Sequence, residues 1–144
     1  MESERVLVDT NIFLDYYLNR TSGILPIGKF AFGFITSAVK CNYTFIVCIE
    51  TIWEISSVLA IAEEQVVENV LMPIKEKNKL EVIAPIRTQK IEAHNLSQKL
   101  GVPYVDALLA VVAKSKNIRI VTRDSHFFEK LSTLVDCAKS EELY

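Results

Sequence analysis

Arg5-Val6-Leu7-Val8-Asp9-Thr10-Asn11-Ile12-Phe13-Leu14 is the stretch that decides the fold of this chain. Residues 5–9 form a short apolar run with β-branched side chains, which reads as a buried strand. Thr10 or Asn11 can cap a following helix, on which Ile12, Phe13, Tyr16 and Tyr17 share one face. Strand, acid and amphipathic helix in immediate succession are the opening of an α/β unit.

The alternation continues outward. Residues 20–23 form a turn, and Pro26 fits the first turn of a second helix reaching about Cys41, broken by Asn42. Residues 44–48 are a second strand. Residues 50–61 are helical, with Ile52, Ile55, Val58 and Leu59 as the apolar stripe. Residues 63–77 predict another helix, bent near Pro73. A third strand spans 80–84, and an amphipathic helix from Arg87 to Leu100 ends at Gly101. Pro103 opens the most apolar helix, residues 104–116, which Asn117 ends. Residues 118–122 are a fourth strand. Ser125 caps a short helix over 126–131, and a fifth strand lies within 134–138. Short connections between alternating elements imply an α/β fold with a mainly parallel sheet. The length of 144 residues suits a single domain, 1–144.

Composition narrows the classes. Hydrophobic residues make up 50% of the chain and there are only 4 Gly and 4 Pro, which excludes disorder and collagen-like repeats. Sixteen Lys+Arg against eighteen Asp+Glu give a net charge of −2, which excludes a globally basic nucleic-acid coat but not a local basic patch. The longest uncharged run, residues 30–39, is far short of the roughly 20 apolar residues a membrane helix needs. The acidic start Met1-Glu2-Ser3-Glu4 shows no signal peptide. Cys41, Cys48 and Cys137 are odd in number and lack CxxC spacing, so they read as buried free thiols of a cytoplasmic protein. The apolar surplus points to a large core, a buried oligomer surface, or both.

The acids carry the chemistry. Parallel sheets place ligands beyond the carboxyl ends of their strands. Asp9 and Asp124 each follow an apolar strand and precede a helix. Glu54 and Asp106 interrupt apolar helices, where a buried charge is costly unless paired or metal-bound. Four convergent carboxylates are complemented by a hard divalent cation, Mg²⁺ or Mn²⁺. Two such ions about 4 Å apart can support in-line attack of water on a phosphodiester. Read singly, each acid has a plainer role. Asp9 and Asp124 can be helix caps, Asp106 a first-turn acid, and Glu54 a solvent-facing residue.

Four segments in order resemble PIN-domain nucleases. They are Val6-Leu-Val-Asp9-Thr10-Asn11-Ile-Phe-Leu, Thr51-Ile-Trp-Glu54-Ile55, Gly101-Val-Pro-Tyr-Val-Asp106-Ala-Leu-Leu-Ala and Ile120-Val-Thr122-Arg-Asp124-Ser-His-Phe127. Each is weakly specific alone; the ordered set spans nearly the whole chain. The compact size resembles the toxin of a VapBC-type toxin–antitoxin pair. The resemblance implies a three-layer α/β/α fold and a Mg²⁺- or Mn²⁺-dependent endoribonuclease acting on RNA. It makes Asp9, Glu54, Asp106 and Asp124 the catalytic and metal-binding acids, with Thr10, Asn11 and Thr122 supporting them. It also implies a homodimer held inactive by a small antitoxin. The alternatives are an RNA-processing nuclease without an antitoxin and a non-catalytic binding module.

Other residues carry weaker expectations. Arg20, Arg87, Arg123 and His126 are candidates for contact with RNA phosphate. Trp53 and Tyr104 can stack on bases, although core or dimer packing is favoured for Trp53. Glu50 reads as a rim carboxylate and Asp15 as a solvated helix acid. Phe30, Phe32, Phe34, Tyr43 and Phe45 read as core or interface. Asn11 stands where a haloacid-dehalogenase-like phosphatase needs its second acid, and no P-loop motif occurs.

Overall fold

A computed structural model describes residues 3–144; Met1 and Glu2, part of the acidic start noted above, lie outside the described residues. The elements run β1 (Glu4–Val8), α1 (Thr10–Leu18), α2 (Ile27–Val39), β2 (Tyr43–Cys48), α3 (Ile49–Leu59), α4 (Glu63–Gln65), α5 (Met72–Lys75), β3 (Leu80–Ile83), α6 (Arg87–Leu100), α7 (Tyr104–Lys116), β4 (Arg119–Val121) and β5 (Cys137–Ala138). The five strands form one sheet in the order β3-β2-β1-β4-β5, and every pairing is parallel.

The side-chain alternation of β1 and β2 builds three layers. Val6, Val8, Phe45 and Val47 point into a core with α1, α2, α3 and the segment through Ile74. Leu7, Ile46 and Cys48 point the other way, into a core made with α6 and α7. Val6, Leu7 and Val8 are all fully buried. Each such side chain contributes about 1.5–3 kcal/mol through removal from water. The strand is therefore apolar on both faces because helices cover both faces. The order of strands reverses at β1, which has β2 on one side and β4 on the other. That switch point opens a crevice beyond the carboxyl ends of β1 and β4.

Helix punctuation follows the expected signals in most places. Gly101 and Asn117 take left-handed conformations and end α6 and α7. Gly28 serves a different need. A Cβ there would lie 2.7 Å from the Asn19 Cα and the Asp15 carbonyl oxygen, so α2 starts in direct backbone contact with the end of α1. Gly33 faces the Tyr144 ring in the same intimate way, which seats the C-terminal residues on α2.

Several expectations are corrected. The buried arc of α1 includes Leu14 and Asp15, while Tyr17 is 45% exposed, because α1 is covered by α2 as well as by the sheet. Val58 is likewise exposed rather than part of the α3 stripe. Residues 63–77 do not form one bent helix. They break into α4, a wide π-helical turn at Val66–Val70, and α5, with Pro73 in the first turn of α5. The fifth strand shrinks to two residues. Cys41 is exposed and has φ +74°, closing α2, while Cys48 and Cys137 are covered. Burial pushes the Cys48 thiol up to about 12, so it is inert as a nucleophile. Among the described residues no helix is long and apolar enough to cross a membrane.

Candidate metal centre

The crevice is assembled from three kinds of local structure. Asp9 leaves the carboxyl end of β1 in extended conformation and caps α1, its Oδ1 accepting from the Thr10 backbone N–H at 2.8 Å. Its Oδ2 accepts from the Thr122 hydroxyl at 2.9 Å, across from the neighbouring end of β4. Thr122 is fully buried and also accepts from the Asp124 backbone N–H at 3.0 Å. One hydroxyl thus ties the acid after β1 to the acid after β4.

Asp124 also caps the turn that follows it, its Oδ1 accepting from the His126 N–H at 2.9 Å. The expected cap, Ser125, is not the residue that makes this bond, and the segment Phe127–Leu131 is wound as a π-helix. Glu54, from α3, accepts from the Thr10 hydroxyl at 3.1 Å. Asp106 lies in the first turn of α7, whose remaining residues from Ala107 to Ala113 are buried.

The electrostatics of these groups are coupled. Burial pushes the Asp106 carboxyl up to about 7, aided by the negative charges of Asp9, Asp124 and Glu54. Burial pushes Asp9 up to about 6 despite its bonds from Thr122 and Thr10, and Glu54 and Asp124 add to the shift. Burial raises Glu54 too, against the bond from Thr10. Asp106 is only 8% exposed, and its Oδ2 is buried with no hydrogen-bond partner. A buried carboxylate oxygen without a donor is costly. The donor set is hard oxygen, which suits Mg²⁺ or Mn²⁺. A cation is the partner that an orphaned oxygen amid like charges needs.

Asp9, Glu54, Asp106 and Asp124 are therefore brought together, with Thr10 and Thr122 bonded directly to them. Asn11 is exposed on the rim and accepts from the Arg20 guanidinium at 3.4 Å. Arg20 and Arg123 line an open groove of about 360 Å³ beside Asp124, with Asn11, Asp15 and Ser22. Arg123 pairs with Glu141 and lies over the Phe30 ring, its Cζ 5.6 Å from the centroid. Arg87 is exposed at the start of α6, and Tyr104 and Trp53 are exposed as well. Trp53 thus packs in no core of this chain. Phe34 and Phe45 stack in the core at 4.7 Å, whereas Phe32 is exposed.

Two acids depart from their sequence reading. Asp15 is buried, not solvated, and Arg20 approaches it at 3.7 Å. Burial raises its pKa even so, with Arg20 and Arg123 opposing. Glu50 is buried rather than on the rim, and its charge acts on Cys48. The spacing of Asp15 to Arg20 across the expected turn was the available signal for that pair. No local signal marked the burial of Glu50.

Comparison with known proteins agrees with this geometry. Curated protein sequences give no significant match. The solved structures similar to this chain include VapBC2 from Rickettsia felis bound to a DNA fragment from its promoter. That match has 16% identity and a TM-score of 0.64, covering 94% of this chain and 98% of that one. VapBC-1 from nontypeable Haemophilus influenzae matches with 19% identity and a TM-score of 0.62, covering 94% and 98%. FitAcB from Neisseria gonorrhoeae matches with 15% identity and a TM-score of 0.62, covering 94% and 97%. The PIN domain family model matches residues 6–133, which span β1 to the turn before β5 and hold all four acids. The three-layer α/β/α chain with its acidic crevice belongs to the PIN-domain family.

Proposed function

We propose that this chain, as a single domain over residues 1–144, is a divalent-metal-dependent endoribonuclease and the toxin of a toxin–antitoxin pair. The observation that carries the reading is the unpartnered, buried Oδ2 of an Asp106 carboxyl whose pKa three further carboxylates raise. Asp9, Glu54, Asp106 and Asp124 would hold Mg²⁺ or Mn²⁺. When bound, the cation supplies Lewis acidity that activates water and offsets charge developing on a phosphodiester.

The chain's own groups prepare that chemistry. The Thr122 and Thr10 hydroxyls each donate to a carboxylate oxygen, which fixes Asp9 and Glu54 and leaves their other lone pairs for the crevice. No side-chain nucleophile is required. Arg20 and Arg123 place positive charge along the groove beside Asp124, where an RNA phosphate can lie. The net charge of −2 is no obstacle, because the acids responsible sit in one cation-binding crevice.

The toxin assignment rests on the likeness to VapBC and FitAB assemblies and on overall size. It entails a small antitoxin, a homodimer and a cytoplasmic setting. Purified protein should cleave RNA with Mg²⁺ or Mn²⁺ and stop in chelator. Cleavage that persists in chelator, or in Asp106→Asn, contradicts the metal-centred reading. A small protein that co-purifies and suppresses cleavage separates the toxin from an RNA-processing nuclease.

A further inference from the structure

One nitrogen faces the same space as the carboxylates. Asp106, Asp124 and His126 each offer one ligand atom, and these three atoms all lie within 4.8 Å of one another. His126 is held there by the backbone. Its N–H donates to Asp124 Oδ1 at 2.9 Å, while the Asp124 N–H donates to the buried Thr122 hydroxyl at 3.0 Å. The turn after β4 is thereby folded back so that residue 126 stands beside residue 124. Independently, Asp106 is 8% exposed and its Oδ2 lacks any partner.

We infer that His126 is a ligand of the metal centre, which makes the donor set mixed nitrogen and oxygen and selects Mn²⁺ over Mg²⁺. The inference rests on the metal-centred reading above and goes beyond it by adding a ligand and an ion preference. Mg²⁺ is small, hard and reluctant to lose water, and carboxylates and water satisfy it. Imidazole adds affinity for first-row transition ions, beginning with Mn²⁺. A site of carboxylates alone discriminates little between the two ions. A histidine within reach of two of those carboxylates changes that. His126 then acts on the ion and not on an RNA phosphate.

The test reads the ion directly. The full chain is stripped with chelator and loaded with Mn²⁺, and pulsed electron paramagnetic resonance is recorded with natural and ¹⁵N-histidine. The chain has two histidines, and His94 is exposed on α6, so His94→Gln serves as the control. The expected result is a histidine nitrogen coupled to Mn²⁺ in the unmodified chain and in His94→Gln, and lost in His126→Gln. Calorimetric titration with each ion should show the Mn²⁺/Mg²⁺ affinity ratio falling roughly tenfold in His126→Gln, mainly through Mn²⁺. The coupling measurement on unmodified protein needs no variant to fold. Mn²⁺ bound without histidine coupling, or an unchanged ratio in a folded His126→Gln, overturns the ligand role and leaves the carboxylate centre standing. Failure of the unmodified chain to bind either ion overturns both.

Discussion

The two ends of the parallel sheet treat charge in opposite ways. At the amino end, Arg119 grips Glu4 through two hydrogen bonds of 2.9 Å, and Arg5 pairs with Glu81 at 2.9 and 3.0 Å. These charges are matched and reach solvent. At the carboxyl end, Asp9, Glu54, Asp106 and Asp124 gather with no cation among the described residues bonded to any of them. One end is neutral by pairing. The other stores repulsion, visible as the raised pKa values of Asp9 and Asp106. Stability alone accounts for the first arrangement and not for the second, and clustered raised pKa values of that kind are what the proposed metal centre accounts for.

The sharpest break in this contrast is Asp106→Asn. On the proposed metal-centred reading it removes a cation ligand and should lower cleavage by roughly a hundredfold or more in a single-turnover RNA assay. The same variant should be more stable than the parent in chelator at pH 8, by thermal melting, because a repelled charge is gone. Next comes added ion. Mn²⁺ or Mg²⁺ at a hundred times its dissociation constant should stabilise the parent by about 2.7 kcal/mol. That is a rise of about 5–11 °C for a domain of this size, and chelator should reverse it.

The pH dependence has a definite sign. The folded Asp106 pKa, about 7, lies above its ordinary value of 3.8, so the folded state binds the proton more tightly than the unfolded state does. Metal-free protein should therefore lose stability as pH rises from about 4 through about 7. Asp106→Asn should flatten that slope. Denaturant melts across the range check it, and an equal slope in both proteins would contradict the repulsion.

Two smaller effects complete the comparison. Thr122→Val removes the donor to Asp9 and the acceptor for the Asp124 N–H, and should cost about 1–3 kcal/mol in chemical denaturation. Arg119→Ala, at the opposite end, should cost under about 1 kcal/mol and leave cleavage unchanged. A large activity loss in Arg119→Ala would blur the distinction between the two ends.

Much of this arrangement is legible in the residues. Val6-Leu7-Val8 announces a doubly covered strand, and the acids Asp9 and Asp124 just past β1 and β4 fall where a parallel sheet opens its crevice. Glu54 and Asp106 stand out because their neighbours are apolar. What escapes local reading depends on packing between distant segments. Asp15 is buried only because α2 returns over α1. The Arg123–Glu141 pair needs the C-terminal residues seated on α2. His126 reaches the crevice only because Thr122 and Asp124 bend the intervening turn, and residue type alone does not predict that bend.

The contact at Gly28 constrains how this molecule can change. A methyl group there would collide with backbone atoms of Asn19, Asp15 and Arg20, which cannot rotate away as a side-chain tip can. The groove wall carrying Asp15 and Arg20 is thus locked to the start of α2. Position 28 is closed to every residue with a Cβ unless that backbone corner shifts. Variation in the chemistry of the groove falls instead to side chains that line it, at Asn11, Thr21 and Ser22, with the backbone corner kept intact.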